Sequence, residues 1–495
     1  MRILRLPVMT YNLPHKLIYY FVLFLVFVYN NISALIYFNL FILTNANLEL
    51  EAKMDPFKYI NSLSLFGTAA GYKPGLARIK RLLHYLDNPH QNLKIIHLAG
   101  TNGKGSTAAI LERIYREAGY KTALYSSPHY FHFNERIKIN GRACSTYELA
   151  EIVKEVEAAA EKLKSENYAE PSFFEVVTAI AFKYFKQHEP DIVILETGLG
   201  GRLDATNVIK KPLLSIITNI SLEHRQFLGN TAAEIAAEKA GIIKQNSKVL
   251  TSAEQREAIK VIRDKAAAKN SKFMDLKKEY QLIKANGNLH NNYFILKKQG
   301  KKEVKYKLSL LGQHQAVNAA LALRSVEELA AEFPLKEKDI RAALTDIYWP
   351  GRMEKICEKP LILLDGAHNP AAFNELAKNI KNSSGEFKNL HLVFSILKDK
   401  DLNAILGELN AFKSRIKFYL AENNSFRTIS LNNLVETVKA RGYEYQSFSG
   451  VAEASSKALA NAEAEDLIIA AGSFNTVFEA GIEFMSKMIR GGENE

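Results

Sequence analysis

The stretch HLAGTNGKGST, His97 to Thr107, brings together the residue types best suited to gripping a phosphate. An apolar run, Lys94-Ile95-Ile96, precedes it and the helical-looking AAILERIYREAGY follows. In a strand, Gly-rich turn and helix of this kind, backbone N–H groups and a helix N-terminus converge on an anion, and Lys104 supplies a counter-charge. The spacing is not that of the general phosphate loop. That loop places glycine five positions before its Gly-Lys pair and Ser or Thr directly after it. Here Leu98 holds the first position, and Gly105 intervenes before Ser106.

Three other stretches set polar groups where apolar runs end. DIVILETGLGGRLDATN carries Glu196 and then a Gly-rich loop with Arg202 and Asp204, LLSIITNISLEHRQFLG carries Glu223 and His224, and ILLDGAHNP carries Asp365, His368 and Asn369. In a parallel sheet the carboxyl ends of the strands face the ligand crevice. Each stretch also has an ordinary reading, as a tight turn with a solvated acid or a histidine satisfied in the structure. Carboxylate and imidazole on neighbouring strand ends suit a divalent metal beside a phosphate.

The elements that must position these groups read as α/β. KIIHLAG, DIVILETGLGG, LLSIITNI, PLILLDGAHN, LHLVFSIL, IKFYLAE and LIIAAGS alternate with helical stretches, which implies parallel sheets with helices on their faces. Trp349-Pro350-Gly351 interrupts the series. The expected organisation is an apolar leader over 1–53, a nucleotide-binding domain over 54–349 and a smaller, Rossmann-like doubly wound domain over 350–495. The insert KKEYQLIKANGNLHNNYFILKKQGKKEVKYKLSLLG reads as antiparallel hairpins with Asn/Gly turns.

A chain of 495 residues exceeds one ordinary core, and 47% hydrophobic with 24% charged residues describes a globular protein. The net charge of +12 suits nucleic acid, a membrane surface or small anions. Lysine is interspersed with acids, as in EIVKEVEAAAEKLKSENYAE, and no basic stripe with aromatics is present, so nucleic acid is not expected as a partner. Cys144 and Cys357 stand far apart, outside any CxxC or Cys/His cluster, which fits a reducing, cytoplasmic setting.

From Leu17 to Leu48 there is no charge, long enough for a span of about 20 residues. Arg2, Arg5 and Lys16 before it would keep the N-terminus inside if residues 17–43 were an anchor. Its Phe, Ile, Leu, Tyr and Asn bias, with a sensible soluble start at Met54, favours a leader outside the working protein. Membrane contact is expected only if that leader is real.

Taken in order, GTNGKGST, YSSPHYFHFNERIKING, SFFEVVTAIAF, DIVILETGLGGRLDATN, AAEIAAEKAGIIK, GQHQAVNAALAL, WPGRMEKI and LLDGAHNP resemble the folate branch of the Mur ligase family, bacterial folylpolyglutamate synthases that are often also dihydrofolate synthases. The resemblance runs from about Asp55 to Ser473. It implies a P-loop-type Mur ligase ATPase domain followed by the Rossmann-like domain. ATP contacts would fall on Asn102, Gly103, Lys104, Gly105, Ser106, Asn318, Arg352, Asp365 and His368, and Mg²⁺ ligands on Ser127, Glu196 and His224. Lys239 matches a lysine that is carbamylated in relatives, and Ser172, Phe174, Asp204 and Ala205 match positions that hold the pterin. Lys104, His224 and Lys239 would carry the catalysis.

The reaction implied is ATP-driven amide formation by a monomer. The carboxylate of dihydropteroate or a reduced folate becomes an acyl phosphate, which the amine of L-glutamate attacks. A monofunctional folylpolyglutamate synthase, a cell-wall Mur ligase and a non-catalytic nucleotide-binding adaptor are the alternatives. The family's LDHTD reads LEHRQ here, with Glu223 for aspartate and Arg225-Gln226 for Thr-Asp. Ser172 stands where many relatives carry threonine, and so keeps the hydroxyl.

Overall fold

The computed structural model describes residues 57–64, 75–130, 132–290 and 292–491. The leader therefore lies outside the described residues. The chain divides into one unit from Asp55 to Phe484 and a second formed by Met1–Met54 and Met485–Glu495.

Runs of apolar and β-branched residues with no polar alternation make strands buried on both faces. β1 (Ile95–Ala99), β5 (Ile192–Glu196) and β6 (Leu214–Ile217) are buried throughout. They form the middle of an eight-stranded sheet with β2 (Thr122–Tyr125), β3 (Ile137–Ile139), β4 (Arg142–Ala143), β7 (Lys248–Thr251) and β8 (Lys272–Asp275), in the order β4-β3-β2-β5-β1-β6-β7-β8. β1 pairs in parallel with both β5 and β6, so the three carboxyl ends emerge side by side.

One face of this sheet is covered by the helices Ala77–Tyr85, Thr146–Ser165 and Phe173–His188, which build a core around Val176, Ile180, Phe182 and Phe185. The other face packs on Lys104–Glu117, Gln313–Glu328 and Glu337–Thr345 through Ile110, Ile114, Leu321 and Leu344. The predicted hairpins form as β9 (Tyr280–Gly287), β10 (Asn292–Lys298) and β11 (Glu303–Leu308), an antiparallel sheet ordered β11-β10-β9.

After Pro350 a second sheet begins. Its order is β12-β13-β17-β14-β15-β16, from β12 (Glu354–Glu358), β13 (Leu361–Leu364), β14 (Leu390–Phe394), β15 (Ile416–Leu420), β16 (Glu444–Ser447) and β17 (Leu467–Ala471). Only β12 runs antiparallel; the rest pair in parallel, as the βα alternation predicts. Among the described residues no helix is long and apolar enough to cross a membrane.

Candidate active site

The phosphate loop leaves the carboxyl end of β1 and is braced by the loop that leaves β6. Thr101 N–H donates to the Asn219 carbonyl (2.9 Å), Asn102 N–H to Asn219 Oδ1 (2.7 Å), and Thr218 Oγ1 to the Asn102 carbonyl (2.7 Å). This closeness explains the first glycine of the motif: a Cβ on Gly100 would lie 1.7 Å from Thr218 Oγ1. Gly103 has φ +87°, and a Cβ there would stand 2.4 Å from Asn318 Oδ1. Gly103 also begins the helix Lys104–Glu117 with no side chain capping it, so the first-turn N–H groups stay open to an anion. Lys104 Nζ, held on its own loop by the carbonyls of Gly100 (2.9 Å) and Thr101 (3.2 Å), sits beside them.

A cavity of about 890 Å³ opens over this loop. The sequence-predicted residues Asn102, Gly103, Lys104, Gly105, Ser106, Ser127, Phe174, Glu196, His224, Lys239, Asn318, Arg352, Asp365 and His368 all line it. Glu196 is buried, accepts from Ser127 N–H (3.2 Å), and has its carboxyl pushed up by burial against the opposing field of Lys104, Arg352 and Arg136. Burial lowers the His224 imidazole to about 4, leaving it neutral at pH 7. Lys239 is likewise buried, donates to the Gly100 carbonyl (2.8 Å), and is lowered to about 7, first by burial and then by Lys104. Among the described residues no three His, Cys, Asp or Glu side chains gather as a metal cluster.

The second sheet delivers its groups from the carboxyl end of β13. Asp365 accepts from Met353 N–H (2.9 Å) and Ala367 N–H (2.8 Å), fastening the turn that carries Arg352. The Arg352 guanidinium lies 4.8 Å from the centre of the Phe474 ring. His368 Nδ1 donates to the Gly366 carbonyl (2.7 Å). Asn369 caps the helix Pro370–Asn382, and its Nδ2 donates to Asn102 Oδ1 (3.1 Å). That bond ties the phosphate loop to the second sheet.

Three predicted pterin contacts do not reach the cavity wall. Ser172 caps the helix Phe173–His188, its hydroxyl accepting from Glu175 N–H (3.3 Å) and donating to Glu175 Oε2 (2.8 Å). Asp204 is occupied by Leu199 N–H (2.9 Å), Thr206 N–H (3.0 Å) and Thr206 Oγ1 (2.6 Å), and Ala205 is buried behind it. Phe174, the fourth predicted contact, does line the cavity.

The structure also shows contacts and groups that local spacing does not reveal. Glu223, one of three residues in LEHRQ that depart from the expected pattern, reaches His368 Nε2 (3.2 Å) and Lys400 Nζ (3.7 Å) of the second-sheet part of the chain, and its carboxyl is held well below the usual range against the effect of burial. Arg225 is exposed, while Gln226 faces the cavity. Arg136 and His314 also line the cavity, and Trp349 packs on Gly105, where a Cβ would meet its Nε1 at 3.1 Å. Trp349 was legible only as a break in the pattern.

Comparison with known proteins follows the same outline. The Mur ligase middle domain matches residues 98–326 and the Mur ligase, glutamate ligase domain matches residues 351–474. A Bacillus subtilis dihydrofolate synthase/folylpolyglutamate synthase is 39% identical over 351 residues, covering 70% of this chain and 81% of its own. The chain belongs to the folate branch of the Mur ligase family. A Lacticaseibacillus casei folylpolyglutamate synthase is 36% identical to this Mur ligase chain, over 68% of the chain and 79% of its own length. The solved structure of E. coli FolC in complex with DHPP and ADP has a TM-score of 0.76 at 29% identity, covering 88% of this chain and 97% of that one. A Mycobacterium tuberculosis folylpolyglutamate synthase complexed with ADP has a TM-score of 0.79 at 28% identity, covering 89% and 99%. This Mur ligase is thus an α/β enzyme of the acid–amino acid ligase class.

Proposed function

We propose that this enzyme joins L-glutamate to dihydropteroate and to reduced folates at the expense of ATP. The observation that carries the reading is the single cavity in which the open helix N-terminus at Lys104 faces Arg352, Asp365 and His368 of the second sheet, with Phe174 on its wall. It is joined by the names of the relatives. ATP would lie with its phosphates on Asn102–Ser106 and its base toward Asn318, which already hydrogen-bonds Gln315 (2.9 Å). The acceptor carboxylate attacks the γ-phosphorus and ADP leaves. The glutamate amine then attacks the acyl carbonyl, and phosphate departs from the tetrahedral adduct. Lys104 and the helix N-terminus offset the charge that develops, and enclosure between the two sheets keeps water from the acyl phosphate.

Mg²⁺ fits the donors present. Glu196 is a buried carboxylate to which no cation among the described residues is hydrogen-bonded, Ser127 offers a hydroxyl and His224 a neutral imidazole. These three would hold the ion, leaving the rest of its shell to water and phosphate oxygens. Bound there, it would supply positive charge to the transferring phosphoryl group. The free, well-separated cysteines Cys144 and Cys357 support work in the cytoplasm, and we infer a monomer acting on small molecules rather than on nucleic acid.

The test is ADP release by the purified protein with Mg²⁺ and ATP. Release should require both L-glutamate and an acceptor, and should occur with dihydropteroate as well as with tetrahydrofolate. Turnover with tetrahydrofolate alone would leave a monofunctional folylpolyglutamate synthase. No acceptor-dependent turnover at all, or turnover only with muramyl precursors, would overturn the reading.

A second expectation concerns the pterin wall. Phe174→Ala removes the ring that a flat heterocycle would stack on, a contact worth about 1 kcal/mol beyond its buried area. The dihydropteroate KM should rise at least about tenfold while the ATP KM changes less than about twofold. Equal changes in both constants would place Phe174 outside the acceptor subsite.

A further inference from the structure

Among the described residues, Arg136 is a buried cation without a counter-anion. It closes the short helical turn Phe133–Arg136, directly before β3, and is only 5% exposed. Among the described residues no carboxylate lies within ion-pair distance of its guanidinium. Glu135, the nearest acid in sequence, is already taken by Tyr130 N–H (2.8 Å) and His132 N–H (2.8 Å). Glu196 raises the guanidinium's charge preference only from a distance.

Burying an unpaired charge costs several kcal/mol, and proteins seldom retain one unless something else completes it. The surroundings show what that is. Nε donates to His129 Nδ1 (2.9 Å), and the guanidinium carbon lies 5.3 Å from the centre of the Phe173 ring. Those two contacts fix the plane of the group and occupy one of its edges. The opposite end, Nη1 and Nη2, makes no hydrogen bond among the described residues, and Nη1 is shut off from solvent and unpartnered. Such a planar, pre-oriented pair of donors matches a carboxylate.

Arg136 lines the cavity with Ser127, Phe174 and Glu196, on the aromatic side. The groups read as nucleotide contacts, Asn318 and Arg352, come from other elements. A nucleotide phosphate already has the helix N-terminus and Lys104. We propose that Arg136 binds the carboxylate of the acceptor substrate and aims it at the γ-phosphate, with His129 and Phe173 holding the guanidinium in place. This rests on the acceptor reading above.

The experiment uses the purified full chain. Wild-type ADP release with dihydropteroate or tetrahydrofolate plus glutamate is measured first; its failure would remove the acceptor reading and not this one alone. Binding of dihydropteroate and of its neutral carboxamide is then compared in wild type and in Arg136→Gln, with a non-hydrolysable ATP analogue present. Hydrogen bonds between charged groups are worth about 1.5–3 kcal/mol, a factor of about 10 to 150. Wild type should therefore prefer the carboxylate by at least about tenfold. Arg136→Gln should lose most of that preference and weaken dihydropteroate binding by a similar factor, with affinity for the ATP analogue within about threefold of wild type. Guanidinium chloride at low millimolar concentration should restore part of the acceptor binding in the variant. Should Arg136→Gln fail to fold, the carboxylate preference of wild type and the intermediate behaviour of Arg136→Lys carry the test. The inference falls if wild type binds acid and carboxamide equally. It also falls if a folded Arg136→Gln keeps the preference, or if the loss appears in nucleotide affinity instead.

Discussion

Lys104→Ala is expected to lower kcat by at least about a hundredfold, the scale on which a donor aimed at transition-state charge contributes. The fold should survive the change. Among the described residues Lys104 Nζ bonds only to carbonyls four and three residues back on its own loop, Gly100 and Thr101, and such contacts contribute about 1 kcal/mol each to stability. The reacting phosphoryl group has more to lose. Without the ammonium, the buried Glu196 loses the largest of the fields that oppose its desolvation, and the anion at the helix N-terminus loses its neighbouring positive charge. Rates are to be measured at saturating ATP, acceptor and glutamate, with the thermal midpoint recorded alongside. Turnover within tenfold of wild type in the folded variant would refute a catalytic role for this lysine.

Lys239→Ala is expected to be nearly as damaging, for a different reason. The amine is buried against the Gly100 carbonyl and lowered to about 7, so a neutral amine is accessible near pH 7. A neutral amine attacks CO₂, forming a C–N bond and releasing a proton, and the product is an anionic carbamate in place of a cation. A Mg²⁺ ion held by Ser127, Glu196 and His224 in the same cavity would stabilise that anion. We propose that Lys239 works in this form. Acetate should restore part of the activity of Lys239→Ala, and wild type given ¹³C-bicarbonate should show a carbamate resonance. A fully active enzyme carrying plain lysine would sink the proposal.

The same group sets a pH dependence of stability in the unmodified protein. Between about pH 7 and the ordinary value of 10.5, the unfolded chain binds a proton at Lys239 that the folded chain does not. Unfolding free energy therefore rises with pH across that window, and below pH 7 the cost of burying the ammonium is fully present. Lys239→Ala should flatten that slope.

Much of this architecture could be read without coordinates because its causes are local. The strands β1, β5 and β6 are mostly apolar stretches of four or five residues, with only His97, Glu196 and Ser215 polar, and their burial on both faces follows from that composition. Gly103 and Lys104 declare a helix N-terminus open to phosphate through their spacing from the preceding strand. Glu196, His224 and Asp365 could be assigned to a crevice because parallel strands all present their carboxyl ends to the same side. The Trp349-Pro350-Gly351 break separates two series of strands that pair only within their own sheets.

What the tertiary structure alone decided depends on which distant segments meet. Gly100 looks interchangeable in sequence, yet Thr218, more than a hundred residues on, fills the space a side chain would need. Ser172 and Asp204 carry groups able to bind a pterin, but Glu175 and Thr206 already engage them, and no spacing rule separates a free hydroxyl from one spent on a helix cap. The exchange of aspartate for Glu223 acquires meaning only when its longer arm reaches His368 and Lys400 on the other sheet. Arg136 is the sharpest case. A guanidinium costs nothing in an extended chain in water, and its unpaired charge becomes costly only when folding buries it at the turn before β3, with no carboxylate among the described residues paired to it. Hydrophobic periodicity and loop spacing act over a few residues, and so the sequence displays them. Charge compensation and close approach act through space, between segments that become neighbours only when the chain folds.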